Sequence, residues 1–394
     1  MELTEINVEV TPETMQNPPV EVIETLDRLA RVALAMSEPL EEPVSLDTEA
    51  DSLHHYTEKT CLLQLAFGGR VFLVDPLVKG LDLAPFLENL SRQRLLLHGA
   101  DYDLRLLYRG YGFAPVWVFD TMLAAQLLGE KEIGLAALLQ RRLGVTLDKS
   151  LQRADWSERP LTPDLVAYAA ADVSYLHELM ASLEADLRAK DRLAWHEEEC
   201  TRVVAAARIQ KERDHAQDWR IKGTNGLTNR ERAFARALWE ARDERSREID
   251  RPAFRVYTNE RLLEAAKLAA KGERDPESLL QSRRGLPSSL ASAIRSAVAT
   301  AATLPAQEWP GPKRDGEPVD IDPVLKQEIE RLKTFRERLA VSLDIDPGVL
   351  ASRPFLTALG RARLKNPQAD AESLAKEAGI SLWRTRLLLE AAGR

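Results

Sequence analysis

Asp47 and Glu49 stand two residues apart in Ser45-Leu46-Asp47-Thr48-Glu49-Ala50, directly after Val44. In a strand, side chains at i and i+2 face the same way, so both carboxylates project from one side. Like charges held that close repel, and they persist when exposed, protonated or sharing a cation. A second acidic group lies in His98-Gly99-Ala100-Asp101-Tyr102-Asp103-Leu104, where the apolar run Leu95-Leu96-Leu97 hands over to a helix. A carboxylate there either serves the helix N-terminus or reaches a site at the strand ends. The third is Tyr168-Ala169-Ala170-Ala171-Asp172. On a helix, i and i+4 share a face, and the intervening alanines allow close approach to a sheet. A phenol and a carboxylate stacked this way can hold a metal-bound water and help deprotonate it. Each group alone also has an ordinary reading, as a solvated pair, a helix cap or a half-buried helix pair.

The elements that must position these groups follow from pattern. An amphipathic helix is expected over 20–36. Cys61–Phe67 and Arg70–Asp75 read as strands split by Gly68-Gly69, a hairpin signal. With the Asp47 strand they make three successive strands, expected to be antiparallel. Leu95–His98 reads as a buried strand, 101–109 as a helix and Val116–Phe119 as a strand. Asp120-Thr121 offers an N-cap for a helix through Leu128. Further helices are expected over 133–143 and 163–190. A meander followed by strand–helix alternation predicts a mixed sheet flanked by helices over residues 1–195.

With 394 residues, 44% hydrophobic and 29% charged, the chain has the composition of a globular protein of two or three domains. Two cysteines without metal-ligand spacing suggest a reduced compartment and no disulfide framework. No apolar run approaches membrane-spanning length, and the acidic N-terminus does not read as a signal peptide; a soluble cytoplasmic protein is expected. The net charge of −8 is unevenly spread. Residues 1–50 hold 12 acids against Arg28 and Arg31, whereas residues 201–275 hold 18 Lys and Arg against 13 acids. Local charge is what a polyanion feels.

Taken in order, D-x-E, H-G-A-D-Y-D and Y-A-A-A-D resemble the DEDD exonuclease superfamily, and the tyrosine four before the last aspartate resembles its DEDDy subgroup. Phe119-Asp120-Thr121-Met122 with Leu127-Leu128-Gly129, Leu147-Asp148-Lys149-Ser150 and Asp155-Trp156-Ser157-Glu158-Arg159-Pro160-Leu161-Thr162 narrow the resemblance to the ribonuclease D family. The resemblance implies an α/β ribonuclease H-like exonuclease domain, followed by all-α helical-bundle domains. It also implies two divalent ions, Mg²⁺ or Mn²⁺. By that resemblance Asp47 bridges both ions, Glu49 and Asp172 serve the site of the attacking water, Asp103 holds the second ion directly or through water, and Tyr168 orients the attacking water or helps deprotonate it. The resemblance further implies that Glu49 binds the terminal 3′-hydroxyl, which would make the enzyme exonucleolytic. Hard oxygen ligands suit such ions, and paired ions clamp the oxygens of an in-line phosphoryl transfer. Nucleoside 5′-monophosphates would leave from the 3′ end.

Candidate substrate contacts are Thr48, Gln64, His98, Lys149 and Trp156, with Arg153 beside them. His98 equally fits a strand cap, Gln64 a partner for neighbouring backbone, and Trp156 structural packing. Asp120 reads as a helix cap and not as a ligand.

Beyond a connecting helix at 196–218, residues 219–305 resemble a helicase-and-RNase-D C-terminal (HRDC) domain, carried by Trp219–Gly223, Leu238–Asp243 and Glu248–Phe254. Lys222, Arg230, Arg236 and Arg245 are its candidate RNA anchors; the alternative is a solvated face of Glu/Arg pairs. Residues 306–318 read as a Pro/Gly-rich linker. Residues 319–394 read as a diverged second HRDC-like copy, with Phe335–Arg338 echoing Trp239–Arg242, and Asp344–Pro347 echoing Glu248–Pro252. Leu374–Ser381 has a helix-turn-helix rhythm.

The leading expectation is a metal-dependent 3′–5′ exoribonuclease trimming structured RNA with a free 3′ end, such as tRNA precursors. A 3′–5′ DNA exonuclease is a second reading, since the ions act on phosphate. A non-catalytic RNA-binding scaffold is a third, disfavoured because all four carboxylates and Tyr168 are present. No phosphate-binding G-x-x-x-x-G-K-[ST] loop supports a helicase. Cutting the chain near residue 200 is expected to weaken binding to a structured RNA and flatten its salt dependence, and cutting at residue 310 to do much less.

Overall fold

The structure, a computed structural model, describes residues 18–209, 214–272, 277–280, 287–312 and 322–392. Its strands are β1 Val20–Ile23, β2 Val44–Ala50, β3 Thr60–Phe67, β4 Arg70–Val74, β5 Arg94–Leu97 and β6 Trp117–Asp120. They form one sheet in the order β1-β4-β3-β2-β5-β6. β2, β3 and β4 are the expected antiparallel meander, while β1, β5 and β6 add in parallel. The β3–β4 turn works because Gly68 and Gly69 both take positive φ, +56° and +69°, which a two-residue hairpin of matching twist requires.

The helix expected over 20–36 is corrected at its start. Val20–Ile23 is a strand, and helix α1 covers only Leu26–Ala35. Thr25 ends the extended run by accepting from Arg28 N at 3.4 Å. The β-branched residues of β1 suit the sheet edge, where pairing with β4 outweighs any local helical tendency.

The helices around the sheet are α2 Ala84–Ser91, α3 Asp101–Tyr111, α4 Thr121–Leu128, α5 Leu135–Leu143, α6 Pro163–Ser174, α7 Leu176–Ala189 and α8 Leu193–Ala207. Both sheet faces are covered, which is why β3 reads as an almost continuous apolar run. Leu62 and Ala66 face one core with α4, α6 and α7. Leu63 and Leu65 face the other, with α1, α2 and α3. Cys61 and Cys200 are both buried thiols.

Among the described residues the α-helices that follow are α9 Asn229–Glu248, α10 Ala253–Val256, α11 Asn259–Lys271, α12 Glu277–Leu280, α13 Ser288–Thr303, α14 Pro323–Leu343, α15 Pro347–Leu350, α16 Arg353–Lys365, α17 Ala371–Ala378 and α18 Leu382–Ala391. The connecting helix expected at 196–218 is α8 as far as Ala207; residues 210–213 lie outside the described residues. So does the expected linker beyond residue 312.

The chain divides into two compact units. One holds the sheet, α1–α8 and α14–α18. In it, Arg192 donates to the carbonyls of Leu127 and Leu343, at 2.7 and 2.6 Å. Gly129, left-handed at φ +83°, leaves no room for a side chain against the backbone of Asp344. Glu198 accepts from Leu382 N and Trp383 N, so the first turn of α18 is satisfied by α8. The helix-turn-helix rhythm is real in outline, as α17 and α18 around Gly379. The end of α18 that such a motif would offer to a groove is occupied within the unit.

The other unit holds α9–α13 and the connection between β2 and β3, Asp51–Lys59. Within it, Tyr56 Oη donates to Asp243 at 3.0 Å and His55 Nδ1 lies 2.7 Å from Asp250 Oδ2.

The two helical series repeat one another. α9, α10 and α11 have 20, 4 and 13 residues; α14, α15 and α16 have 21, 4 and 13. Arg242 donates to Tyr257 O at 3.0 Å, and Arg336 donates to Ala351 O at 2.9 Å. Asp250 and Asp344 both take left-handed φ, +46° and +52°. Thr258 and Ser352 cap the helix that follows. These pairs set the register of the echo. It matches Arg242 to Arg336, not Trp239 to Phe335 as the sequence comparison had it.

Candidate active site

Asp47 and Glu49 project from β2 on the face covered by α6, which carries Tyr168 and Asp172. α6 starts at Pro163 with Thr162 accepting from Leu165 N, and its buried Ala169 and Ala170 let it lie close to the sheet. Ligand oxygens of Asp47, Glu49 and Asp172 all fall within 4.8 Å of one another. Among the described residues this is the cluster whose acidic groups converge closely enough for a cation. The three line a cleft of about 400 Å³ with Asp103, Tyr168, His98, Lys149 and Gln152.

Asp103 arrives from α3. Its carboxylate is buried and accepts from Thr48 Oγ1 at 2.5 Å. Asp101, two residues earlier, is exposed and paired with Arg105 at 2.5 Å, so the two aspartates of the motif separate cleanly. Asp120 is a cap, and more than a cap. Its carboxylate accepts from Met122 N and Leu123 N of α4, and also from Gly99 N and Ala100 N, both at 2.9 Å. It ties the turn that launches α3 to the start of α4, and so fixes where Asp103 enters. Sequence reasoning saw the cap; the second pair of donors needs the β5–β6 pairing, Leu97 beside Asp120.

The electrostatics are those of buried carboxyl groups facing one another. Burial first, then Asp172, pushes Asp47 up to about 8. Burial, then Asp47, Asp172 and Asp103, pushes Glu49 up to about 9. Burial pushes Asp172 up to about 7, and burial followed by Asp47 holds Asp103 well above the usual carboxylate range. Tyr168 binds its proton more tightly than an ordinary phenol, through burial and the facing carboxylates. An all-oxygen donor set under mutual repulsion fits a hard divalent cation, which would relieve that repulsion.

The other sequence candidates divide. His98 lines the cleft. Thr121 Oγ1 gives its proton to Leu97 O at 3.1 Å, so its lone pair accepts from His98 Nδ1–H at 2.9 Å. Nε2 is then an acceptor, and burial keeps the ring neutral. Lys149 is exposed at the cleft. Thr48 lines it too, but its hydroxyl is committed to Asp103. Gln64 and Trp156 do not line the cleft: they are 0% and 1% exposed. Trp156 instead backs Tyr168, ring centroids 5.8 Å apart. Neighbouring Arg159 binds Asp75, Cys61 O and Trp156 O, clamping the Asp155–Thr162 segment to the sheet. In the other unit Arg236 pairs with Glu240 at 2.8 Å and Arg245 with Glu248 at 3.1 Å. Arg230 and Lys222 are exposed, and the Arg230 guanidinium lies 5.9 Å from the Trp309 ring.

Residues 20–188 match the 3′–5′ exonuclease family, and residues 231–285 match the HRDC domain. A ribonuclease D of Jannaschia sp. (strain CCS1) is 31% identical over 341 residues, 82% of this chain and 87% of that one. One from Pseudomonas paraeruginosa is 31% identical over 320 residues, 80% of this chain and 83% of that one. Among solved structures, Escherichia coli RNase D, described as an exoribonuclease involved in structured RNA processing, aligns with a TM-score of 0.65 at 27% identity, covering 95% and 97% of the two chains. A Bifidobacterium adolescentis protein shares the fold with a TM-score of 0.74 at 24% identity, over 96% and 99%. Among the described residues, no helix is long and apolar enough to cross a membrane.

Proposed function

The chain belongs to the ribonuclease D family, and from that premise we propose that it is a 3′–5′ exoribonuclease trimming the 3′ ends of structured RNA, tRNA precursors among them. The observation that carries this reading is the convergence of Asp47, Glu49 and Asp172 within 4.8 Å. With Asp103 they would hold two divalent ions, Mg²⁺ or Mn²⁺. Bound there, such ions supply Lewis-acid stabilisation at the phosphoryl oxygens and a more acidic water.

This chain's own groups do the rest. Glu49 and Asp172, on facing elements, bracket the position of the attacking water. Tyr168, whose phenol keeps its proton among these acids, fixes that water by hydrogen bonding. Glu49 accepts the terminal 3′-hydroxyl, which confines cleavage to the chain end. His98 presents an acceptor to the terminal nucleotide, and Lys149 a cation to its phosphate. Lys222 and Arg230 would hold the body of the RNA, without reading bases.

End-labelled RNA and DNA oligonucleotides of matched sequence, with free or phosphorylated 3′ ends, test this in Mg²⁺, Mn²⁺ or EDTA. Stepwise release of nucleoside 5′-monophosphates from free-ended RNA is expected, abolished by EDTA and by the 3′-phosphate. Internal cleavage, or faster attack on DNA, would overturn it.

A further inference from the structure

Asp47 lies directly opposite Gln64 in the β2–β3 pairing. Opposed residues of an antiparallel pair project from the same sheet face. On that face the neighbours of Asp47 within β2 and β3 are Ser45 and Glu49 along β2, and Leu62, Gln64 and Ala66 on β3. Leu62 and Ala66 carry no polar side-chain atom. Ser45 Oγ is engaged with His177 Nδ1 at 3.3 Å. Gln64 is the neighbour with uncommitted N–H groups. It is 0% exposed, and neither its Nε2 nor its Oε1 has a hydrogen-bond partner.

A fully buried amide with both ends unpaired is costly, and an apolar side chain of the same size would remove that cost. The flanking Leu62, Leu63 and Leu65 show that this strand readily holds leucine. A partner formed in the metal-bound state of the site would remove that cost. An ionised carboxylate offers about four acceptor positions. Asp47 already accepts from the backbone N–H of Thr48, and a cation would occupy a second position.

We infer that Gln64 is a positioning residue: its amide hydrogen-bonds the Asp47 carboxylate when that carboxylate holds a divalent cation, and so fixes its orientation. The inference rests on the metal-binding reading of the acid cluster. Outer partners of metal-ligating side chains typically change metal affinity by about 10- to 100-fold when removed.

Gln64→Leu, made in the full chain, separates this from a packing role. Binding of Mn²⁺ alone is followed by electron paramagnetic resonance, and the thermal midpoint is measured without metal. Gln64→Leu is expected to weaken Mn²⁺ binding about tenfold or more. Its metal-free midpoint should be equal to or above that of the parent. Turnover should fall with KM for RNA unchanged, and higher Mn²⁺ should restore it. Mn²⁺ affinity equal to the parent's would overturn the inference. So would a lowered metal-free midpoint or failure to fold, because either would show that the amide already serves the metal-free fold. Asp47→Ala is the control for the underlying reading. If it leaves Mn²⁺ binding intact, the metal site itself is misassigned; if it abolishes binding while Gln64→Leu does not, only the role of Gln64 fails.

Discussion

Trp195 and Trp383 stack face to face, with ring centroids 4.6 Å apart and planes within 8° of parallel. One belongs to α8, beside the catalytic sheet; the other opens α18, near the C-terminus. Trp383 is 5% exposed, and its Nε1 donates to Glu199 at 2.9 Å. Ala340, Ile345, Leu350 and Trp383 share one core with Leu62 and Phe119 of the sheet. The C-terminal helices are thus part of the body that holds the acids.

Ending the chain at residue 310 should consequently uncover this core and destabilise the exonuclease unit, so RNA binding by that truncation has to be compared at matched stability. Trp383→Ala should cost about 3–5 kcal/mol in urea denaturation, the usual range for a buried tryptophan. A loss below about 1 kcal/mol, with a residue-310 truncation as stable as the parent, would show that the stack contributes little.

The acid cluster sets a pH dependence. Asp47, Glu49 and Asp172 have folded-state values of about 8, 9 and 7, above their ordinary values of 3.8, 4.5 and 3.8. The folded chain therefore retains protons that the unfolded chain releases. Their contribution to stability is fully present below about pH 4 and is lost as pH rises through about 7 to 9. Without metal, the thermal midpoint should fall across that window. Mn²⁺ should raise it more at pH 8 than at pH 6, with protons released on binding. Asp47→Asn should flatten the metal-free curve. Scanning calorimetry with and without Mn²⁺ checks this, and a metal-free midpoint that rises from pH 6 to 9 would contradict it.

The acids were legible in the sequence because their spacing matches element geometry: two residues on a strand, four on a helix. Asp101 and Asp103 were not separable that way. Both sit in the first turn of α3, and only the helix's rotation shows that one meets Thr48 while the other meets Arg105. Gln64 was legible as an oddity in β3, but not as buried, because that depends on α6 covering its face. β1 was misread since four apolar-alternating residues disappear into the helical pattern of α1. The C-terminal docking was invisible for a different reason. Arg192, Glu198, Leu343 and Trp383 are ordinary residues until distant parts of the chain meet.

Asp103 and Asp101 should differ sharply when each loses its charge. Asp103→Asn should lower turnover by at least about 10²-fold, the lower range for a group acting directly in the site. Asp101→Asn, which loses only an exposed i,i+4 pair, should change stability by under about 0.5 kcal/mol and turnover little. Thr48→Val should fall between them, since the Asp103 carboxylate loses a donor but keeps its place. Single-turnover rates on a short single-stranded RNA decide it. A dead Asp101→Asn beside an active Asp103→Asn would reverse the assignment.

Charge in the helical unit should reveal itself through salt. Of its four candidate anchors, Arg236 and Arg245 are paired with glutamates on their own helix, while Lys222 and Arg230 are exposed. A paired arginine must give up its carboxylate to bind phosphate, so its net gain is small. An exposed one displaces mainly solvent and counterions, and among the described residues the Arg230 guanidinium gives up no more than its contact with the Trp309 ring. Each single-strand phosphate neutralised contributes about 0.7 to the log–log slope of affinity against salt. Lys222→Ala and Arg230→Ala should therefore each flatten that slope by about 0.7 on a tRNA-like RNA, while leaving turnover of a short single strand unchanged. Arg236→Ala and Arg245→Ala should flatten it much less. Binding of the four variants across a salt series makes the comparison. Equal slopes for all four and the parent would mean that this unit does not anchor RNA through these cations, and that the arginines of α9 serve the helix itself.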